Sequence, residues 1–195
     1  MRPLVQSRRL KGGGSSAPAS ALRSFFLGLV RPSFADLGCG RTEQVTYVTD
    51  LLTRFARTDQ LYRIRNADGR RLETVAEMLL ELMREWDSDR PYRYDREVEV
   101  RRHCGDYALF MCGLFRDHVE GHSLLSYYLL EGPQAYRTVA ERMQMTHSEE
   151  AAVFWGLADQ FEQLSGALDY MRKVYMRPVA ADNTHAEVLR QLDLN

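Results

Sequence analysis

A chain of 195 residues with 26 basic and 27 acidic side chains carries a net charge of -1, which argues against the broad cationic surface that nucleic acid requires. Its 45% apolar content is that of an ordinary globular protein, and a domain of this size buries roughly 70% of its unfolded surface with no disulfide or metal staple. Three cysteines with no Cys-x-x-Cys, namely Cys39, Cys104 and Cys112, fit free thiols in a reducing compartment, and no apolar run approaches the ~20 residues of a membrane span. The expectation is a cytoplasmic chain with no membrane or nucleic-acid partner.

The first 35 residues hold no acid, and Gly12 to Ser16 interrupts their arginines and lysine. This composition predicts a disordered basic leader over 1–17, ahead of one helical domain over 18–195. From Ala19 to Val30, Leu22, Phe25, Phe26 and Leu29 have helical spacing, with Pro32 as the stop. A second helix follows from Thr42 to Arg57, with Val45, Val48, Leu51, Leu52 and Phe55 on one face. Asn66-Ala67-Asp68-Gly69 is a turn, since Asn, Asp and Gly tolerate positive φ. Between Leu72 and Trp86 an unbroken stripe (Leu72, Val75, Ala76, Leu79, Leu82, Met83 and Trp86) predicts the core face of a third helix.

A long helix is expected from Asp95 to Asp117. There Val100, Cys104, Tyr107, Met111 and Leu114 form a packed seam, and small residues (Cys104, Ala108, Cys112, with Gly105 and Gly113 beside them) admit a close neighbour. Helical spacing resumes at Ser123, is interrupted at Gly132-Pro133, and resumes with Pro133 in the first turn of a helix reaching Met145. Thr146 and Glu149 make a capping box that opens a helix from Ser148 to Tyr175. Thr184 and Glu187 repeat that spacing before a last short helix ending near Leu192. Strand signals are almost absent, so the fold class is all-α, an irregular bundle of six or seven helices.

Three segments invite a chemical reading. Asp36-Leu37-Gly38-Cys39-Gly40 looks like the glycine-rich first motif of class I methyltransferases, which requires a strand before it and alternating strands and helices after it. Helical patterns on both sides make it a turn between helices instead. In Arg101-Arg102-His103-Cys104-Gly105-Asp106, the spacing lets Arg102, His103 and Asp106 share one flank of a helix. A carboxylate beside an imidazole can orient a general base, and these three form the candidate polar site, with Tyr136, Arg137 or His118 as further members. Third, His118 and His122 stand one helical turn apart, a spacing that also occurs in metal chelation, and the spacing from Arg116 to His122 loosely resembles the ribonuclease motif of HEPN proteins, with the final histidine one residue beyond the commonest spacing. Glu120 is misplaced for the zinc-protease order, so a solvated helix end is the expectation. No complete ligand set is present, and neither a metal nor a cofactor is expected.

The block R-H-C-G-D-Y-A-L-F-M-C-G-L-F from Arg102 to Phe115 resembles one that recurs in uncharacterised bacterial helical proteins, with similarity extending from about Leu22 onward. That resemblance implies a bacterial helical domain and no particular chemistry. Long amphipathic helices, tyrosine-rich segments and the lack of a catalytic set point to a non-catalytic module that binds a protein partner or forms a homo-oligomer. The alternative is a small-ligand- or metal-binding enzyme with its pocket at Arg102, His103 and Asp106.

Overall fold

A computed structural model describes residues 16–86 and 94–176. The expected leader, apart from its last two residues, and the short helix near 184–192 lie outside that range. The fold is all-α. Among the described residues nine helices follow one another: α1 (Ser16–Asp36), α2 (Thr42–Phe55), α3 (Thr58–Leu61), α4 (Val75–Trp86), α5 (Tyr94–Leu114), α6 (Arg116–Gly121), α7 (Leu125–Met143), α8 (Ser148–Asp159) and α9 (Phe161–Val174). The count exceeds the six or seven expected because short helices and breaks without glycine or proline subdivide the chain. No helix is long and apolar enough to cross a membrane among the described residues.

Helix α5 is the axis of the bundle. It packs on α7 and α9, and on α4 and α6 at its flanks, while α1 lies on α2 and α9, and α8 on α7. Every residue from His103 to Phe110 is buried, so α5 has no solvent face over two turns. The small residues of the expected seam permit this. A Cβ on Gly105 would lie 2.7 Å from the Tyr136 ring, and one on Gly132 would lie 3.0 Å from the Ala108 methyl. Glycine at these positions lets α7 approach α5 closely. Of the seam itself, Val100, Cys104, Tyr107 and Leu114 are buried and Met111 is half-buried.

Proline ends neither helix that contains it. α1 runs through Pro32 to Asp36, because Val30 and Phe34 are buried on either side of the ring and tertiary packing outweighs the lost hydrogen bond. α7 likewise continues through Pro133, held by buried Tyr128, Ala135 and Tyr136. Conversely, the expected helix over 148–175 divides at Gln160, whose backbone turns out of helical geometry (φ -106, ψ 15). The Gln160 side-chain oxygen accepts the Gly40 N–H at 3.2 Å, tying the break to the α1–α2 turn. The Asp36–Gly40 segment is that turn, with φ of +60 at Gly38 and +74 at Gly40.

Helix α4 is rotated from the expected stripe. Thr74 Oγ1 accepts the Glu77 N–H (3.2 Å) and the Glu77 carboxylate accepts the Glu73 N–H (2.9 Å), a reciprocal cap that starts the helix at Val75 rather than Leu72. Val75, Met78 and Leu82 face the core, Leu79 is half-buried, and Ala76, Leu80 and Met83 face outward.

Candidate functional site

Asp106 is the centre of a polar cluster inside the bundle. Its side chain is 1% exposed, on a stretch of α5 that is buried all round. Water is excluded there, so each carboxylate lone pair needs a protein donor. Three other helices supply or frame them. Tyr47 of α2 donates its hydroxyl to Oδ1 at 2.6 Å, and Tyr136 of α7 donates to the same oxygen at 2.9 Å. Arg54, two turns beyond Tyr47 on α2, donates from Nη2 to Oδ2 at 2.9 Å. Arg102, one turn before Asp106, donates from Nε to the Tyr47 hydroxyl at 3.2 Å. Its guanidinium lies 5.3 Å from the Tyr47 ring centre and 5.4 Å from that of Phe154 on α8, within cation–π range. Tyr47, Tyr136 and Phe154 meet ring to ring at 5.4–6.2 Å.

The cluster ties α2, α5, α7 and α8 around one charge. Burial, reinforced by the Asp106 charge, pushes the Tyr47 and Tyr136 hydroxyls well above the ordinary phenol range. Both therefore stay protonated and act as hydrogen-bond donors. The Asp106 carboxylate thus has both oxygens engaged by the protein, one by two phenols and the other by a guanidinium.

His103 is fully buried but bonds away from this cluster. Nε2 meets the Leu61 carbonyl at 2.9 Å, which assigns the proton to that nitrogen, and Nδ1 accepts from Arg63 Nε at 3.3 Å. The ring sits edge-on to Phe55, with centroids 5.3 Å apart. Burial, together with the Arg63 and Arg54 charges and against the pull of Asp106, lowers its pKa to about 4. The imidazole is thus neutral at pH 7, with both nitrogens engaged.

Of the three candidate residues, then, Arg102 and Asp106 join one network through Tyr47, while His103 secures the Leu61–Arg63 segment. Tyr136 belongs to the network. Arg137 is exposed beside Asp159 (3.9 Å), and His118 is exposed on α6, stacked on His122 with ring centroids 4.2 Å apart. Among the described residues no three His, Cys, Asp or Glu side chains converge to hold a metal ion. Sequence reasoning missed Tyr47, Arg54 and Phe154. Tyr47 and Arg54 stand seven residues apart on one face of α2, but nothing local says that this face meets Asp106.

Two clefts open elsewhere. One of about 450 Å³ lies between the start of α2 and α8, lined by Arg41, Gln44, Glu149 and Val153 among others. The other, about 340 Å³, lies at the α1–α2 turn beside Cys39 and Gly40. Arg102, His103 and Asp106 line neither cleft. No protein-family model, no curated protein and no solved structure matches this chain.

Proposed function

We propose that the protein is a non-catalytic interaction module whose docking surface is the outer face of α4. The supporting observation is the exposure of Leu80 (53%) and Met83 (59%), next to exposed Ala76 and half-buried Leu79, on a helix whose inner face packs on α5. These side chains form a continuous strip, since residues three and four apart are neighbours on a helix. A contiguous apolar strip with polar residues at its margins is what a partner covers. A helix of 12 residues is roughly 18 Å long, so the occupant that fits is another amphipathic helix presenting an apolar seam of that length. The engagement of the Asp106 carboxylate and of both His103 ring nitrogens supports the same reading, because it leaves the polar centre a structural role.

The test is a photo-crosslinking residue at position 80, with a second placed at exposed Leu130 on α7 as control. Discrete adducts from position 80 and none from position 130, in cells expressing the chain, are expected. Equal labelling from both positions, or none from either, would overturn the assignment of this face.

A further inference from the structure

We infer that the cleft of about 450 Å³ between α2 and α8 binds a small zwitterion, a free amino acid with an apolar side chain, whose carboxylate accepts from the Gln44 side-chain amide. The cleft shares no residue with the outer face of α4, so this site stands whether or not a partner docks there.

An unsatisfied donor carries it. Gln44 is 2% exposed, and its side-chain oxygen accepts the Arg41 N–H at 2.6 Å. That bond fixes which end of the amide is which, since exchanging the ends would set one N–H against another. Nε2 is thereby turned toward α8, where it finds no hydrogen-bond partner among the described residues. Gly156 makes the room for it. A Cβ there would lie 2.6 Å from Nε2, and both residues line the cleft. A buried donor without an acceptor is costly, and a ligand oxygen seated in the cleft removes that cost.

The charges around the cleft select the ligand. Arg41 is exposed at the N-cap of α2, a helix of 14 residues, where the dipole also favours a negative group. It makes no ion pair among the described residues, so its guanidinium is available to a carboxylate. Exposed Glu43 and Glu149 bring two negative charges to the same cleft. A simple anion would meet one cation and two carboxylates there, whereas a carboxylate joined to an ammonium matches all three. Ala152 and half-buried Val153 add an apolar wall on the α8 side. The volume lies within the roughly 300–1,000 Å³ of small-molecule sites.

The experiment titrates the full chain with L-leucine. Calorimetry reads the affinity, and heteronuclear NMR follows the side-chain amide signals of Gln44. Saturable binding with a downfield shift of a Gln44 amide proton is expected. Leucinamide, which lacks the carboxylate, and 4-methylpentanoate, which lacks the ammonium, are each expected to bind at least about tenfold more weakly. Gln44→Glu keeps an oxygen for the Arg41 N–H and removes the donor, and it is expected to weaken L-leucine about tenfold or more. Arg41→Gln alters only an exposed side chain and is expected to do the same with unchanged circular dichroism, so it decides the matter if Gln44→Glu does not fold. Absence of binding at millimolar L-leucine, equal affinity for leucinamide, or full affinity in Arg41→Gln would overturn the site.

Discussion

Replacing Asp106 by alanine removes one acceptor from three donors at once. The Tyr136 hydroxyl lies in a fully buried side chain, and that of Tyr47 has lost its strong acceptor; a buried polar group left unsatisfied costs about 1–3 kcal/mol. Arg54 loses its counter-ion, and breaking a buried ion pair from one side costs about 3–5 kcal/mol. That figure applies here at its lower end, because the Arg54 side chain is 35% exposed and water screens part of its charge. Counting the penalty for the fully buried Tyr136 hydroxyl alone, since Tyr47 is half-buried, the expected loss is about 4–6 kcal/mol, a large share of the roughly 5–15 kcal/mol that stabilises a domain. Asp106→Asn keeps an oxygen for the two phenols and disturbs only the Arg54 contact, so about 2 kcal/mol is expected. Tyr136→Phe removes one donor and leaves Asp106 with two, for about 1 kcal/mol. Urea unfolding followed by far-ultraviolet circular dichroism reads these as shifts in midpoint at constant slope. An Asp106→Ala loss below about 1 kcal/mol, or a Tyr136→Phe loss as large as that of Asp106→Ala, would refute the picture of one charge holding several helices.

Other consequences follow from particular side chains. His103 has a folded pKa of about 4 against the usual 6.5, so below pH 6.5 the unfolded chain takes up a proton that the folded chain does not. Stability is then full above pH 6.5 and falls as pH drops toward 4, by about 3 kcal/mol in all; urea midpoints at pH 7, 6 and 5 should fall in the natural chain and show a shallower slope in His103→Gln. Leu82→Ala, at a side chain 3% exposed, should cost about 2–5 kcal/mol, whereas Leu80→Ala should stay within about 0.5 kcal/mol; equal costs in urea unfolding would place the helix face wrongly. A methyl group on Gly105 would press on the Tyr136 ring, so Gly105→Ala should lower stability by about 1–3 kcal/mol despite alanine's better helix propensity. Burial pushes the Cys104 and Cys112 thiols up to about 12, so Ellman's reagent should reach at most one thiol in the folded chain, that of half-buried Cys39, and all three once unfolded.

The helical period was readable because apolar side chains recur at three- and four-residue steps through α2, α4, α5, α8 and α9, and period is a property of neighbouring residues. The tight α5–α7 approach was half readable. Cys104, Ala108, Cys112 and the adjacent glycines announce a close neighbour, but not that the neighbour is Tyr136. Breaks were the hardest feature. Gln160 and Phe115 end helices with no glycine or proline beside them, because the cause at Gln160 is a side-chain contact with Gly40, 120 residues distant. Pro32 and Pro133 misled in the opposite sense, since distant packing carries both helices through.

The candidate site shows the same division. Arg102, His103 and Asp106 stand on consecutive turns, and the spacing alone suggested a shared purpose. The partners that separate them come from α2, α7 and the end of α3 with the residues just after it, none of which is local in sequence. The exposed strip on α4 was concealed for a related reason. Its stripe is wider than one face, so the pattern fixes that the helix is amphipathic without fixing which edge turns to solvent.

Hydrogen–deuterium exchange on the full chain, alone and with the partner captured through position 80, addresses the docking face most directly. If that partner seats on α4, amides over 75–84 slow in its presence, while those of α7 around Leu130 keep one rate. Unchanged exchange over 75–84, or slowing confined to another helix, would contradict the account.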